Sequence, residues 1–159
     1  MSSESQIEPS IETFAQIAHR YCDWAESPFG ESQEEMLIAR TLLAELHLAV
    51  LSLPDLEPDE ETEDLDISRE CELVINRFQN LPVDFYWDVF YPLELEKDEP
   101  VLNSLSDDLS DIYRNLKDGL LLYKKGKIAE AVWGWKFHFD IHWGDHLTGA
   151  QRAIHSYFS

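Results

Sequence analysis

The stretch SLSDDLSDIYRNLKDGLLLYKKG, residues 104–126, decides the fold. Leu105, Leu109, Ile112, Leu116, Leu120 and Tyr123 recur every three or four residues, so all six lie on one face of an α-helix. Ser104 stands where a helix N-cap belongs. Lys124 and Lys125 supply a basic last turn, and Gly126 suits the left-handed residue that ends a helix. Such a stripe holds only if another element covers it.

The C-terminal segment is predicted to supply that cover. Residues 131–146, AVWGWKFHFDIHWGDH, carry Val132, Trp133, Trp135, Phe137, Phe139, Ile141 and Trp143. A helix apolar on every side is a buried one. The pattern predicts a single helix over 127–157 at the centre of the molecule, antiparallel to the first across the Gly126 turn. Gly134, Gly144 and Gly149 would each permit close approach of a neighbour.

Toward the N-terminus the same period recurs. Ile11, Phe14, Ala18, Tyr21 and Cys22 predict a helix capped by Ser10 and broken at Ser27-Pro28-Phe29-Gly30. Ser32 to Glu35 reads as a capping box for a second helix, which Pro54 ends. Ser68 opens a third, carrying Cys71, Leu73, Val74 and Phe78, and Leu81-Pro82 closes it. Residues 84–91, DFYWDVFY, are expected to form a short helix, although their alternation also suits a strand; Pro92 to Pro100 reads as a polar linker. The expected fold is an all-α bundle of five to six helices with the C-terminal antiparallel helical hairpin in its core. Residues 1–9 are expected to be a flexible tail, and 10–159 one helical domain.

Charge narrows the function classes. The formal net charge is −20. Residues 1–100 hold 25 acids and 5 bases, whereas 101–159 hold 7 of each. Eight of the twelve residues in 55–66 are acidic, which with Pro58 predicts an exposed loop; the residue order of a calcium loop is absent. Phosphate backbones and anionic membrane surfaces are repelled, so neither nucleic acid nor membrane is an expected partner. A basic protein would be attracted. Composition does not speak to oligomeric state. No apolar run approaches the length of a membrane helix, and the first residues are polar and acidic. The expected compartment is the cytoplasm, with Cys22 and Cys71 reduced. No phosphate loop, nucleophile elbow or zinc-finger spacing occurs, and no cofactor is implied.

One polar cluster stands out. His138, His142 and His146 are spaced by four and advance only about 40° each time around the axis. His138 and His146 are about 12 Å apart along it, too far to share one ion. On the preceding helix Asp108 lies nearest the apolar stripe, while Asp107 and Asp111 turn further out. An aspartate facing an imidazole is most simply a buried hydrogen-bonded pair. The same groups suit a metal site, with His142, His146 and Asp108 as candidate ligands, or an acid–base site. Glu31, Glu34 and Glu35 with Asp108 and Asp111 superficially fit an all-helical, Mg²⁺-dependent nucleotide hydrolase. Tyr86, Trp87 and Phe90 are expected in the core, with a groove lining as the alternative.

Asp107 to Leu120, together with the Ala131 to His146 run and Tyr86 to Pro92, resembles a family of small bacterial proteins known only as a domain of unknown function. The motifs are DDLSDIYRNLKDGL and HWGDH. The resemblance implies a helical cytoplasmic protein of bacterial origin and singles out Asp108, Asp111, His142 and His146. It implies no activity. His138 and Gly134 depart from the family's pattern. The function expected on these grounds is a non-catalytic interaction module, with a metal-binding enzyme or sensor as the alternative.

Overall fold

The computed structural model describes residues 8–59, 65–96 and 99–159. In chain order the elements are α1 (Pro9–Glu26), α2 (Ser32–Leu51), α3 (Ser68–Phe78), β1 (Phe85–Asp88), β2 (Val101–Ser104), α4 (Leu105–Lys124), α5 (Ile128–His138) and α6 (Gly144–Phe158), with a π-helical turn at Phe139–Trp143 between the last two. The all-α bundle expected from the periodicity is the observed architecture, with one small antiparallel hairpin added to it.

α4 is the central helix. It packs against α1, α3, α5 and α6, and Leu105, Leu109, Ile112, Tyr113, Leu116 and Leu120 are buried along it. The Ser104 side chain accepts from Asp107 N–H at 3.2 Å, as an N-cap should. Asp84 adds to that cap: its Oδ1 accepts from Ser106 N–H at 2.9 Å and from the Ser104 hydroxyl at 2.8 Å. Gly126 has φ +83° and turns the chain from α4 into α5, which packs back along α4.

The last helical segment differs from expectation in two ways. It is broken in register by the wider π turn, and one of its sides faces solvent. Ala131, Val132, Trp135, Trp143, Leu147, Ala150 and Ile154 enter the core, but Phe137 and Ile141 are exposed. A segment without polar patterning does not reveal which side faces water; packing on α4 chooses it. Space around Gly134 is open, so no neighbour approaches there.

Two caps are displaced from their predicted positions. α1 begins at Pro9 rather than after a Ser10 cap, and proline suits that first position because its missing N–H has no helical acceptor. α2 is capped by Glu31, whose carboxylate accepts from Glu34 N–H at 2.9 Å, one residue before the predicted box. Glu35 is thereby freed to turn inward. It is buried, accepts from Trp24 Nε1–H at 2.8 Å and Gly30 N–H at 2.9 Å, and pairs with buried Arg77 at 3.0 Å. Of the three glutamates considered for Mg²⁺, Glu31 caps α2 and Glu35 is spent on Arg77.

Residues 85–88 form a strand, not a helix. Phe85 pairs with Ser104, Tyr86 with Asn103, Trp87 with Leu102 and Asp88 with Val101. Proline at 82 and 92 leaves too short a span for a stable helix. The period of two places Tyr86 and Asp88 on one face and Phe85 and Trp87 on the other. The predicted tail and acidic loop fall partly outside the described residues, at 1–7 and 60–64. Within the described part of that loop, Asp55 pairs with Lys136 and Asp59 N–H donates to Glu130 at 3.1 Å. Among the described residues, no helix is long and apolar enough to cross a membrane.

Candidate functional site

α4 and α6 pack side by side, and this contact brings the predicted polar residues together. Asp108 is only 3% exposed, beside the apolar stripe of α4. Its Oδ1 lies 2.7 Å from His146 Nδ1. Its Oδ2 accepts the phenolic proton of Tyr86, which the hairpin delivers. A buried carboxylate needs such donors, since desolvation without them is costly.

Asp111 stands one turn further along α4 and is half-buried. Its Oδ2 lies 3.2 Å from His146 Nε2. The His146 imidazole therefore has a carboxylate at each nitrogen. Burial disfavours its charged form, but the Asp108 hydrogen bond and the charges of Asp108, Asp111 and Asp107 outweigh that, and its pKa is raised above the ordinary value.

His142 sits on the π turn, exposed, with its ring edge-on to His146 at 4.8 Å between centroids. Its Nδ1 lies 3.2 Å from the Asn115 amide, which also donates to the Asp111 carbonyl at 2.9 Å. One donor atom from each of Asp111, His142 and His146 falls within 4.8 Å of the other two. Asp108 is not part of that trio: both its oxygens are engaged, and it stands behind His146 rather than beside the shared space. His138 is elsewhere, with Nδ1 2.9 Å from the Gly134 carbonyl and its ring against Trp133 and Phe137. Of the single histidines, His19 pairs with Asp23 at 3.2 Å on the surface and His47 packs on Phe139.

Tyr86 and Asn115 were not singled out as partners of the cluster by sequence reasoning. The alternation Phe85-Tyr86-Trp87-Asp88 carried the signal for Tyr86, because it turns that side chain away from its exposed neighbours. Asn115 is four residues after Asp111 and so shares its face.

The hairpin has a second character. Trp87 is 70% exposed, Leu93 and Leu95 are each 92% exposed, and Phe85, Phe90 and Tyr91 also face solvent. Trp87 and Phe90 were expected in the core and are not there; among the described residues no second layer covers the outer face of β1, and Phe90 follows that strand in a bend. They line one wall of a cleft of about 400 Å³ whose other wall is Asp145, Thr148, Gly149 and Arg152 of α6.

A helical bundle with a carboxylate–imidazole cluster between two of its C-terminal helices is thus the class of protein that the fold and the site define. The chain belongs to the family described as Domain of unknown function (DUF5063), whose model matches residues 5–159. Its fold is similar to the crystal structure of protein BF1032 from Bacteroides fragilis, with 22% identity and a TM-score of 0.76 over 93% of this chain and 91% of that one. No curated protein matches the chain.

Proposed function

We propose that this chain is a non-catalytic protein-interaction module that holds a basic partner segment against its 85–104 hairpin. The observation that carries the reading is the exposed apolar surface of β1 and of the segment that follows it. Trp87, Phe90, Leu93 and Leu95 are all exposed within nine residues of chain, and large apolar side chains left in water in this way mark interaction surfaces. Six acids (Asp84, Asp88, Glu94, Glu96, Asp98 and Glu99) and one base, Lys97, occupy 84–100. The complement is a segment that alternates lysine or arginine with apolar residues. An extended one would also find strand edges, since among the described residues each strand of the hairpin has one strand neighbour. The excess negative charge of residues 1–100 supports the same partner class by steering it.

The test is a pull-down with the purified chain as bait, at low and high salt, beside a Leu93→Glu/Leu95→Glu variant. A basic protein retained at low salt, released at high salt and lost with the variant is the expected result. Retention of nothing at low salt, or equal retention by the variant, overturns the reading.

A further inference from the structure

We propose that Asp111, His142 and His146 form a binding site for a borderline divalent metal ion of the Zn²⁺ type. The inference stands apart from the docking surface and rests on the geometry between α4 and α6.

His146 is the fixed member. Asp108 Oδ1 lies 2.7 Å from Nδ1, and Tyr86 holds the other Asp108 oxygen. A carboxylate at Nδ1 places the proton of the neutral ring there. The Nε2 lone pair then faces Asp111 and is left to an ion, which is how metal-binding histidines are oriented. Asp111 Oδ2 is already 3.2 Å from that nitrogen.

A hydrogen-bonded pair serving stability alone requires Asp108 and His146 and nothing more. The second imidazole and the second carboxylate are surplus to it. The second carboxylate faces the one nitrogen that Asp108 does not engage, and the second imidazole lies edge-on to the same ring. The donors lie within 4.8 Å of one another. A tetrahedral ion with bonds of about 2.1 Å sets its ligands about 3.4 Å apart. The widest separation exceeds that by about 1.4 Å at most, and His142 is exposed, so rotation of its side chain can close the gap without disturbing the core. The backbone that carries it is the π turn Phe139–Trp143, and single π turns inside α-helices recur at functional sites.

The donor set selects the ion. Two nitrogens and one oxygen suit Zn²⁺, Co²⁺, Ni²⁺ or Fe²⁺, whereas Ca²⁺ and Mg²⁺ take oxygen donors. Three protein ligands also leave a coordination position for water or another small donor, as in open rather than purely structural zinc sites.

Calorimetric titration of Zn²⁺ into the untagged, chelator-treated full chain tests this, with Co²⁺ absorption as the probe of geometry. The expected result is one ion per chain and visible Co²⁺ bands of a four- or five-coordinate centre. His142→Ala and Asp111→Asn should each weaken binding by about tenfold or more, the least that losing a ligand should cost given what its supporting partners contribute. His138→Ala and His155→Ala should leave it unchanged, and circular dichroism should show the same helicity throughout. His142 is exposed, so its variant folds whatever the role of the cluster. No Zn²⁺ uptake by about 0.1 mM, or uptake indifferent to His142→Ala, overturns the proposal. Preference for Mg²⁺ over Zn²⁺ overturns it as well.

Discussion

Tyr86 donates its phenolic proton to Asp108, and this bond ties the hairpin to a buried carboxylate at the centre of the bundle. Burial and the neighbouring Asp108 carboxylate push the Tyr86 pKa well up, so the proton stays on the tyrosine through the physiological range. Tyr86→Phe leaves a buried carboxylate oxygen without its donor. The expected loss is about 1–3 kcal/mol in chemical denaturation, the cost of an unsatisfied buried acceptor. Gly149 lets the tyrosine reach its partner: a Cβ there would sit 2.5 Å from the Tyr86 hydroxyl. Gly149→Ala should therefore destabilise too, and the double variant should lose less than the sum because both changes break one contact. Additive losses would show that the two residues act separately.

The fold was legible where the pattern was local and redundant. The α4 stripe from Leu105 to Tyr123 has six agreeing positions, a cap at one end and Gly126 at the other, so no single misreading displaces it. The hairpin was not, because β1 has four residues and its partner lies across an intervening linker; pairing over that distance leaves no periodic trace in either strand. The cluster was legible in part. Helical spacing put Asp108 beside the apolar stripe and grouped His142 with His146. It could not show that Asp111 would turn toward the imidazoles, because the angle between two packed helices and the extra residue of the π turn set that. Glu35 was hidden for another reason. Its position three residues after Ser32 imitates a capping box, while its partners Trp24 and Arg77 come from two other helices.

Arg77 and Glu35 are an ion pair with both side chains almost wholly buried, 8% and 6% exposed. Arg77 also donates to the Ser27 carbonyl at 2.6 Å from Nε, which fixes the turn between α1 and α2. Arg77→Met removes the cation and strands the Glu35 carboxylate. Breaking a buried pair on one side costs about 3–5 kcal/mol. The Arg77→Met/Glu35→Gln double variant should recover part of that loss, since no buried charge is then left alone. Urea midpoints for the unaltered chain and the two variants decide it; a double variant no better than Arg77→Met alone would show that the Ser27 contact, not the charge, is what matters.

Glu26 carries a pH dependence of known sign. Burial pushes its pKa up, but hydrogen bonds from Lys117 at 2.7 Å and from the Tyr113 hydroxyl at 2.6 Å outweigh it, and the carboxyl is held below its ordinary value. A depressed carboxyl contributes stability above its unfolded pKa and loses that contribution as pH falls through the folded one. Glu26→Gln should therefore lower the melting temperature at pH 7. The gap to the unaltered chain should narrow on acidification below about pH 4, where the ordinary carboxyl takes up its proton. A gap constant from pH 7 to pH 3 would mean that Glu26 acts through packing alone.

Asp108 is a positioning residue in the proposed metal site, and this role separates from its role in the core. Asp108→Asn keeps the size of the side chain and an oxygen that can accept from His146, but removes the charge that holds the Nδ1 proton. Loss of such a partner costs about 10- to 100-fold in metal affinity. The Zn²⁺ titration should show that loss while the Co²⁺ spectrum, taken at saturating metal, keeps its shape, because Asp111, His142 and His146 still supply the donors. Stability without metal should fall as well, through the weakened Tyr86 and His146 contacts, and that fall alone would fit a purely structural aspartate. The affinity is what discriminates. An Asp108→Asn chain that binds Zn²⁺ as tightly as the unaltered one would remove Asp108 from the site and leave it a core residue.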